Sequence, residues 1–353
     1  MANINYLVGE NMFADFVTDI ANVSISNVYS TIGSLTDMAY DVVAFSDNNI
    51  FIRSGGGGVY LLQHWNGTTW TTITTIASTD ISNIKKIKKI GGEMYMINGS
   101  NVTGYISKYD GTTWTIICSF ISNDTEYGNS NANDIVIYGS NIYICGGFTS
   151  VNGVSVNHIA VWDGSSWSNV GSGISTFLYS FIRCMAIVGT TLYIGGSFTL
   201  NGETDIHFAT LIGSQFYKFS QEFNATPVIM VVNGTVLYIG GYGGSPSISY
   251  WDGTSLTSLN NPNDSYVNYI RNSIVIYGTD IYVGGEFPSV VDGITVNYIA
   301  KYNGSTWSAL TAGGFNYYVS ALDIAGNTLY IGGNFTSSSN GDTSISYIAK
   351  LEL

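Results

Sequence analysis

The chain has 353 residues, 45% hydrophobic and 14% aromatic, enough apolar surface for a large buried core. Only 10% are charged and the formal net charge is −13, with 11 Lys and Arg in all. Such a chain has few cations to neutralise a phosphate backbone, so nucleic acid is not an expected partner. No apolar run reaches about 18 residues, so no transmembrane span is expected.

The N-terminus, Met1-Ala2-Asn3-Ile4-Asn5, has neither a basic region nor a long apolar stretch, so no conventional signal peptide is expected. Residues 1–20 carry no repeat signal and are expected to form an N-terminal extension; residues 21–353 form a single domain. Within that domain one unit recurs. Its central aromatic falls at Phe51, Tyr95, Tyr143, Tyr193, Tyr238, Tyr282 and Tyr330, at intervals of 44, 48, 50, 45, 44 and 48 residues. Around the anchor the unit has an apolar strand, a Gly-containing turn, and a second strand ending in Gly-Gly, as in Leu329-Tyr330-Ile331-Gly332-Gly333. A loop and a third strand follow, then a turn such as Trp65-Asn66-Gly67-Thr68-Thr69-Trp70 or Trp162-Asp163-Gly164-Ser165-Ser166-Trp167, and a fourth strand. Asn-Gly and Asp-Gly at these turns predict type I′ hairpins, which need φ > 0 at both central residues.

Four antiparallel strands per unit, seven times, predict an all-β, seven-bladed β-propeller. The Gly-Gly pairs let neighbouring backbones approach where blades converge. All seven Trp lie in the third-to-fourth-strand signature and are expected to pack one blade on the next. The last repeat stops in its third strand, at Tyr347–Leu353. Residues 24–33 look like fourth-strand material such as Ser305–Leu310, so they are expected to complete the C-terminal blade and leave no open edge.

A strand ending in Gly-Gly, then Tyr or Trp and Trp five residues on, resembles the kelch-type repeat. The fuller string from Leu329 to Thr336, with the third and fourth strands Tyr298–Leu310, is similar to kelch-like repeats of bacterial and fungal surface proteins and of large DNA viruses. The resemblance spans roughly residues 40–353. It departs from kelch in using Asn/Asp-Gly where kelch blades have a longer connection. It implies an architecture and not an activity, because propellers host many functions.

In such a blade the long, variable connections emerge on one face: 147–157, 197–206, 287–297 and 335–346 between strands two and three, and 119–133 and 259–270 between blades. That face is the expected binding face, although surface loops also drift without function. Tyr317, Tyr318, Tyr266 and Tyr269 lie in or beside these loops and are the candidate ligand contacts. Lys88 and Lys89, within Lys85-Lys86-Ile87-Lys88-Lys89, replace apolar residues of a first strand near the channel. Two readings stand: an exposed strand edge guarded by lysines, or a site for an anion or acidic partner at the channel mouth. His158 and His207 fill the slot held by Tyr298 and Tyr347, which favours a structural role over a metal or acid–base one. Three cysteines (Cys118, Cys145 and Cys184) show no metal-ligand spacing, and Cys145 replaces the first Gly of a Gly-Gly pair as a small buried hydrophobe. Glu203, Asp205, Asp292 and Asp342 match no calcium loop, and no catalytic constellation, cofactor or metal site is expected.

These features point to a non-catalytic propeller that serves as a protein-interaction or structural surface component, with self-association open. The Asn/Ile/Tyr/Ser-rich, Arg-poor composition suits an A+T-rich genome; with the repeat resemblance it suggests a viral particle or cell surface. The alternatives are a glycan-binding propeller and a glycosidase or lyase with acids at the channel mouth.

Overall fold

In this computed structural model the described residues are 28–33, 35–56, 59–76, 79–80, 83–99, 102–121, 132–174, 181–244, 247–259, 270, 273–287, 290–291 and 294–353. They form seven antiparallel blades in a propeller ring. Blade 1 runs through Ala39–Ser46, Asn49–Gly56, Val59–Trp65 and Trp70–Ile73 in that spatial order. The innermost strands of blades 2 to 7 are Ile84–Ile90, Ala132–Tyr138, Phe181–Val188, Thr226–Asn233, Ile274–Tyr277 and Val319–Ala325.

Blade 7 takes three strands from the C-terminus, and its last, Ile348–Glu352, pairs outward with the N-terminal segment. The Ser30 amide donates to the Lys350 carbonyl at 2.9 Å, and Lys350 returns the bond at 3.1 Å. The ring therefore closes as the sequence predicts. The closing segment is held from both sides: the Tyr29 hydroxyl donates to the Gly313 carbonyl at 2.7 Å, and the Trp70 indole of blade 1 donates to the Ile32 carbonyl at 2.8 Å. Residues 1–27, including the extension, lie outside the described residues.

The core is distributed over the contacts between blades. Val43, Phe51 and Leu62 of blade 1 pack on Ile84, Ile87 and Met94 of blade 2. Phe208 and Phe219 of blade 4 meet Phe223, Leu237 and Ile239 of blade 5. At the junction, Ile32, Tyr330 and Ile348 pack on Ala39, Val42, Ile50 and Ile52. The inner strands of most blades are buried on both faces and read as nearly continuous apolar runs, as in Leu329–Ile331, whereas the outer strands are more exposed. The tryptophans bridge blades as expected: Trp307 donates to the Leu259 carbonyl of blade 5 at 2.5 Å, and Trp251 to the Tyr193 hydroxyl of blade 4 at 3.2 Å.

The Gly-Gly pairs mark close approaches between blades. A Cβ on Gly284 would stand 2.4 Å from Val319 Cγ1 of the next blade, and one on Gly332 would stand 2.7 Å from Val42 Cγ2. Facing these glycines, the first strands carry a recurring irregularity that the sequence pattern does not show. The register slips between Ala39 and Asp41, Ile84 and Lys86, Ala132 and Asp134, Ile182 and Cys184, Pro227 and Ile229, and Val319 and Ala321. Such a bulge bends a strand and re-aims its side chains.

Two local expectations change. The Asn/Asp-Gly connections are four-residue loops, not type I′ turns. In the first, only Gly67 has positive φ (97°), and the Asn66 side chain accepts from the Thr68 and Thr69 amides at 3.0 and 2.9 Å. Asp110, Asp163, Asp252 and Asn303 repeat the arrangement, so the short polar side chain supplies the turn's hydrogen bonds. Residues 197–206 are not a loop either. Thr191–Leu200 and Glu203–Ile212 extend past the sheet and pair there, with Phe198, Leu200 and Ile206 buried. The 147–157 connection reaches sideways, and its Ser150–Val151 segment joins the outer strand of blade 2 through Phe120↔Val151.

Two substitutions test this packing. Gly284→Ala is expected to destabilise the protein by about 1–3 kcal/mol through overpacking against Val319. The readout is a lower denaturant midpoint at unchanged slope. Ser30→Pro removes the donor to Lys350 and is expected to cost about 1 kcal/mol, measured in the same way.

Candidate functional site

The first strands place a charged cluster in the channel. Asp41, Lys86 and Asp134 occupy one register position in blades 1 to 3, just after the bulge; Cys184, Ile229 and Ala321 occupy it in blades 4, 5 and 7. Lys86 and Lys88 both donate to Asp134 Oδ1, at 3.1 and 2.8 Å, and Lys88 also reaches the Ile135 carbonyl at 3.0 Å. Lys89 turns the other way, to Asp323 of blade 7 at 2.7 Å and to the Ala44 and Ile324 carbonyls at 2.8 Å each. Arg53 Nε lies 2.6 Å from Asp41 Oδ2.

Each carboxylate also accepts a backbone N–H from the first strand of the following blade. Asp41 takes that of Ile87 at 3.2 Å, Asp134 that of Met185 at 2.9 Å, and Asp323 that of Ala44 at 2.7 Å. The lysine run is therefore not an exposed edge, because its strand is the innermost of blade 2. The Lys88 and Lys89 side chains are 26% and 23% exposed.

Burial by itself would push the Asp134 carboxyl up, but Lys86, Lys88 and the Met185 amide hold it below the usual carboxylate range. Burial likewise opposes the Lys86 charge, and Asp134 and Asp41 more than offset it, so Lys86 is raised. Asp323 goes the other way: burial outweighs Lys89 and the Ala44 amide, and its carboxyl is raised. The same channel has an apolar side, where Ile229, Val231 and Ile274 line a cavity of about 170 Å³ with the charged groups.

On the loop face between blades 6 and 7 sits an aromatic cluster. Tyr317 is 46% exposed, its ring 4.8 Å from Tyr318 and 6.0 Å from Tyr298. The loops beneath are pinned. Asn316 accepts from the Thr336 and Ser337 amides at 2.9 and 3.1 Å, Phe315 stacks on Phe335 at 4.1 Å, and the Tyr318 hydroxyl donates to Met38 Sδ at 3.2 Å. Tyr298 takes positive φ (71°), as do His158 (64°) and Tyr347 (64°). These three share a structural slot at the entry to a third strand, whereas His207 lies inside Glu203–Ile212. Tyr266, Tyr269 and Asp292 lie outside the described residues.

Sequence reasoning passed over two arginines. Arg53 lies over Tyr40 and Tyr60, at 5.0 and 5.1 Å from their ring centroids, and Arg183 lies 5.5 Å from the Tyr242 ring. Their one sequence signal was a lone cation within an otherwise apolar strand pattern. Among the described residues no three His, Cys, Asp or Glu side chains gather as a metal would require. Cys118, Cys145 and Cys184 are free and buried, and burial raises the Cys118 thiol to about 12.

No family model and no curated protein matches the chain. Solved structures match it in fold. The WD40 propeller domain of Doa1 aligns with a TM-score of 0.54 at 11% identity, covering 92% of this chain and 95% of that one. Virginiamycin B lyase from Staphylococcus aureus aligns at 0.53 and 14%, over 92% and 98%. A GH74 enzyme from Niastella koreensis aligns at 0.56 and 13%, over 86% of this chain and 52% of its own. The set spans a WD40 domain and two enzymes, so what is shared is the propeller.

The channel cluster makes a prediction with a sign. The Asp134 carboxyl titrates below its unfolded value, so its contribution is complete at neutral pH. It is lost as pH falls below about 4 and through the folded value. Asp134→Asn leaves two inward lysines short of their carboxylate and is expected to cost about 3–5 kcal/mol at pH 7, with a flatter acid limb. Asp323→Asn is expected to cost less, since Lys89 keeps two carbonyls and the Asp323 carboxyl is raised. Denaturant titrations between pH 3 and 7 measure both.

Proposed function

We propose that this propeller is a non-catalytic interaction module that grips a protein partner with its loop face, through Tyr317 flanked by Tyr298 and Tyr318. The observation that carries this reading is the exposed tyrosine on a preordered base. Its ring already packs at a tilt against both neighbours, and hydrogen bonds accepted by Asn316 hold the loop. An aromatic anchor on rigid loops gains contact area at small entropic cost.

The channel acids support a non-catalytic role. Asp41, Asp134 and Asp323 are each committed to a cation and to a backbone amide of the next blade, which fits a structural use of these carboxylates. In this reading residues 21–353 act as one domain. Composition and repeat resemblance extend the proposal to a surface component of a large DNA virus particle. The same tyrosines offer a platform for a sugar face, which makes a glycan the second reading.

The decisive comparison is wild type against Tyr317→Ala in biosensor titrations over purified capsid and fibre proteins and in a glycan array. The variant is expected to keep its melting temperature and to lose at least tenfold in affinity for a protein component, about 1.4 kcal/mol or more. A glycan hit abolished by the substitution moves the assignment to a lectin. Unchanged affinity in Tyr317→Ala overturns the site.

A further inference from the structure

Three of the chain's 11 cationic side chains, Lys86, Lys88 and Lys89, line the channel cavity, and Arg53 pairs with Asp41 of its wall, in a protein of net charge −13. Arg53 answers Asp41, which leaves Lys86, Lys88 and Lys89 against Asp134 and Asp323; with Lys85, whose charge Arg53 opposes, the surplus is at least one positive charge. The surplus lies at Asp134, where two ammonium groups share the single oxygen Oδ1. An ammonium has three N–H donors. Lys86 uses one of them on a protein acceptor and Lys88 two, so donors remain on both. Neither side chain is sealed from the channel, with exposures of 13% and 26%.

Across the ring, blades 5 and 6 present Ile229, Val231 and Ile274 to the same cavity. One wall offers hydrogen-bond donors with excess positive charge, and the other offers hydrocarbon. The void of about 170 Å³ is below the roughly 300 Å³ at which drug-sized sites begin.

We infer that the channel is a binding site for a small organic monoanion, a carboxylate with a short aliphatic body. Its carboxylate bridges Lys86 and Lys88, and its chain lies against Ile229 and Val231. A negative charge offsets the surplus, and a neutral molecule leaves the spare donors unanswered. The site is separate from the tyrosine cluster and stands whether or not that surface binds a partner.

Calorimetric titration of the full chain with hexanoate, hexanol and inorganic phosphate tests the assignment. Saturable one-to-one binding of hexanoate is expected, at least tenfold tighter than either comparison ligand. Lys88→Met is expected to weaken hexanoate at least tenfold. Val231→Thr, which leaves every ion pair in place, is expected to weaken it severalfold, so the test survives if Lys88→Met does not fold. Absence of saturable hexanoate binding overturns the inference and leaves the cluster as a structural belt. Phosphate binding as tight as hexanoate, or affinity unchanged in both variants, overturns it as well.

Discussion

A four-stranded blade has two apolar faces and cannot bury both by itself. In this chain each face finds the neighbouring blade, and the core is accordingly a ring of blade-to-blade contacts. Closure follows from the same constraint. Without the Tyr29–Ile32 segment, blade 7 would expose the outer edge of Ile348–Glu352, and the contact of Ile32 with Ala39, Val42 and Ile50 would be lost. Ring closure also sets residues 28–33 against the C-terminal strand. The N-terminal segment lies between the last strand of blade 7 and the Trp70 indole of blade 1.

The narrow end of each wedge is where geometry is most demanding. Seven first strands converge there, and the chain meets the crowding with three devices. A glycine on the second strand gives room to the next blade, as Gly284 does for Val319. Among the described residues, a bulge turns the first strand at a constant place in six blades. In blades 1, 3 and 7 an aspartate ties its own strand to a backbone amide of the next. The lysines of blade 2 then neutralise Asp134 and Asp323 on either side. Buried charges are tolerated there because each has an opposite charge and hydrogen bonds in reach.

The division of labour around the ring follows from which blades carry charge. Blades 7, 1, 2 and 3 give the channel its ionic side and blades 5 and 6 its apolar side. The loop face is built differently, from connections stiffened by short polar contacts such as Asn316 with Thr336 and Ser337. Rigid strands with a variable rim suit a scaffold whose fold is shared with a WD40 domain and with two enzymes. Activity on such a scaffold is decided by the side chains at rim and channel, because the strands below them are occupied with packing.

Periodicity alone determined the blade number, the strand order within a blade, the tryptophan bridges and the closing segment. These depend on local patterns that repeat: a short apolar strand, Gly-Gly at the point of approach, an Asn or Asp before Gly at a turn. The turn type escaped the same reasoning, because Asn66 and its equivalents use their side chains to make bonds that a backbone-only rule assigns to φ. The tertiary structure decided the meaning of the lysine run. Lys86 and Lys88 find Asp134 nearly fifty residues away, and Lys89 finds Asp323 across the ring junction, so neither pairing has a local signature. Only convergence of the first strands on one axis brings these charges within 3.1 Å of their partners, since each is set by a different blade.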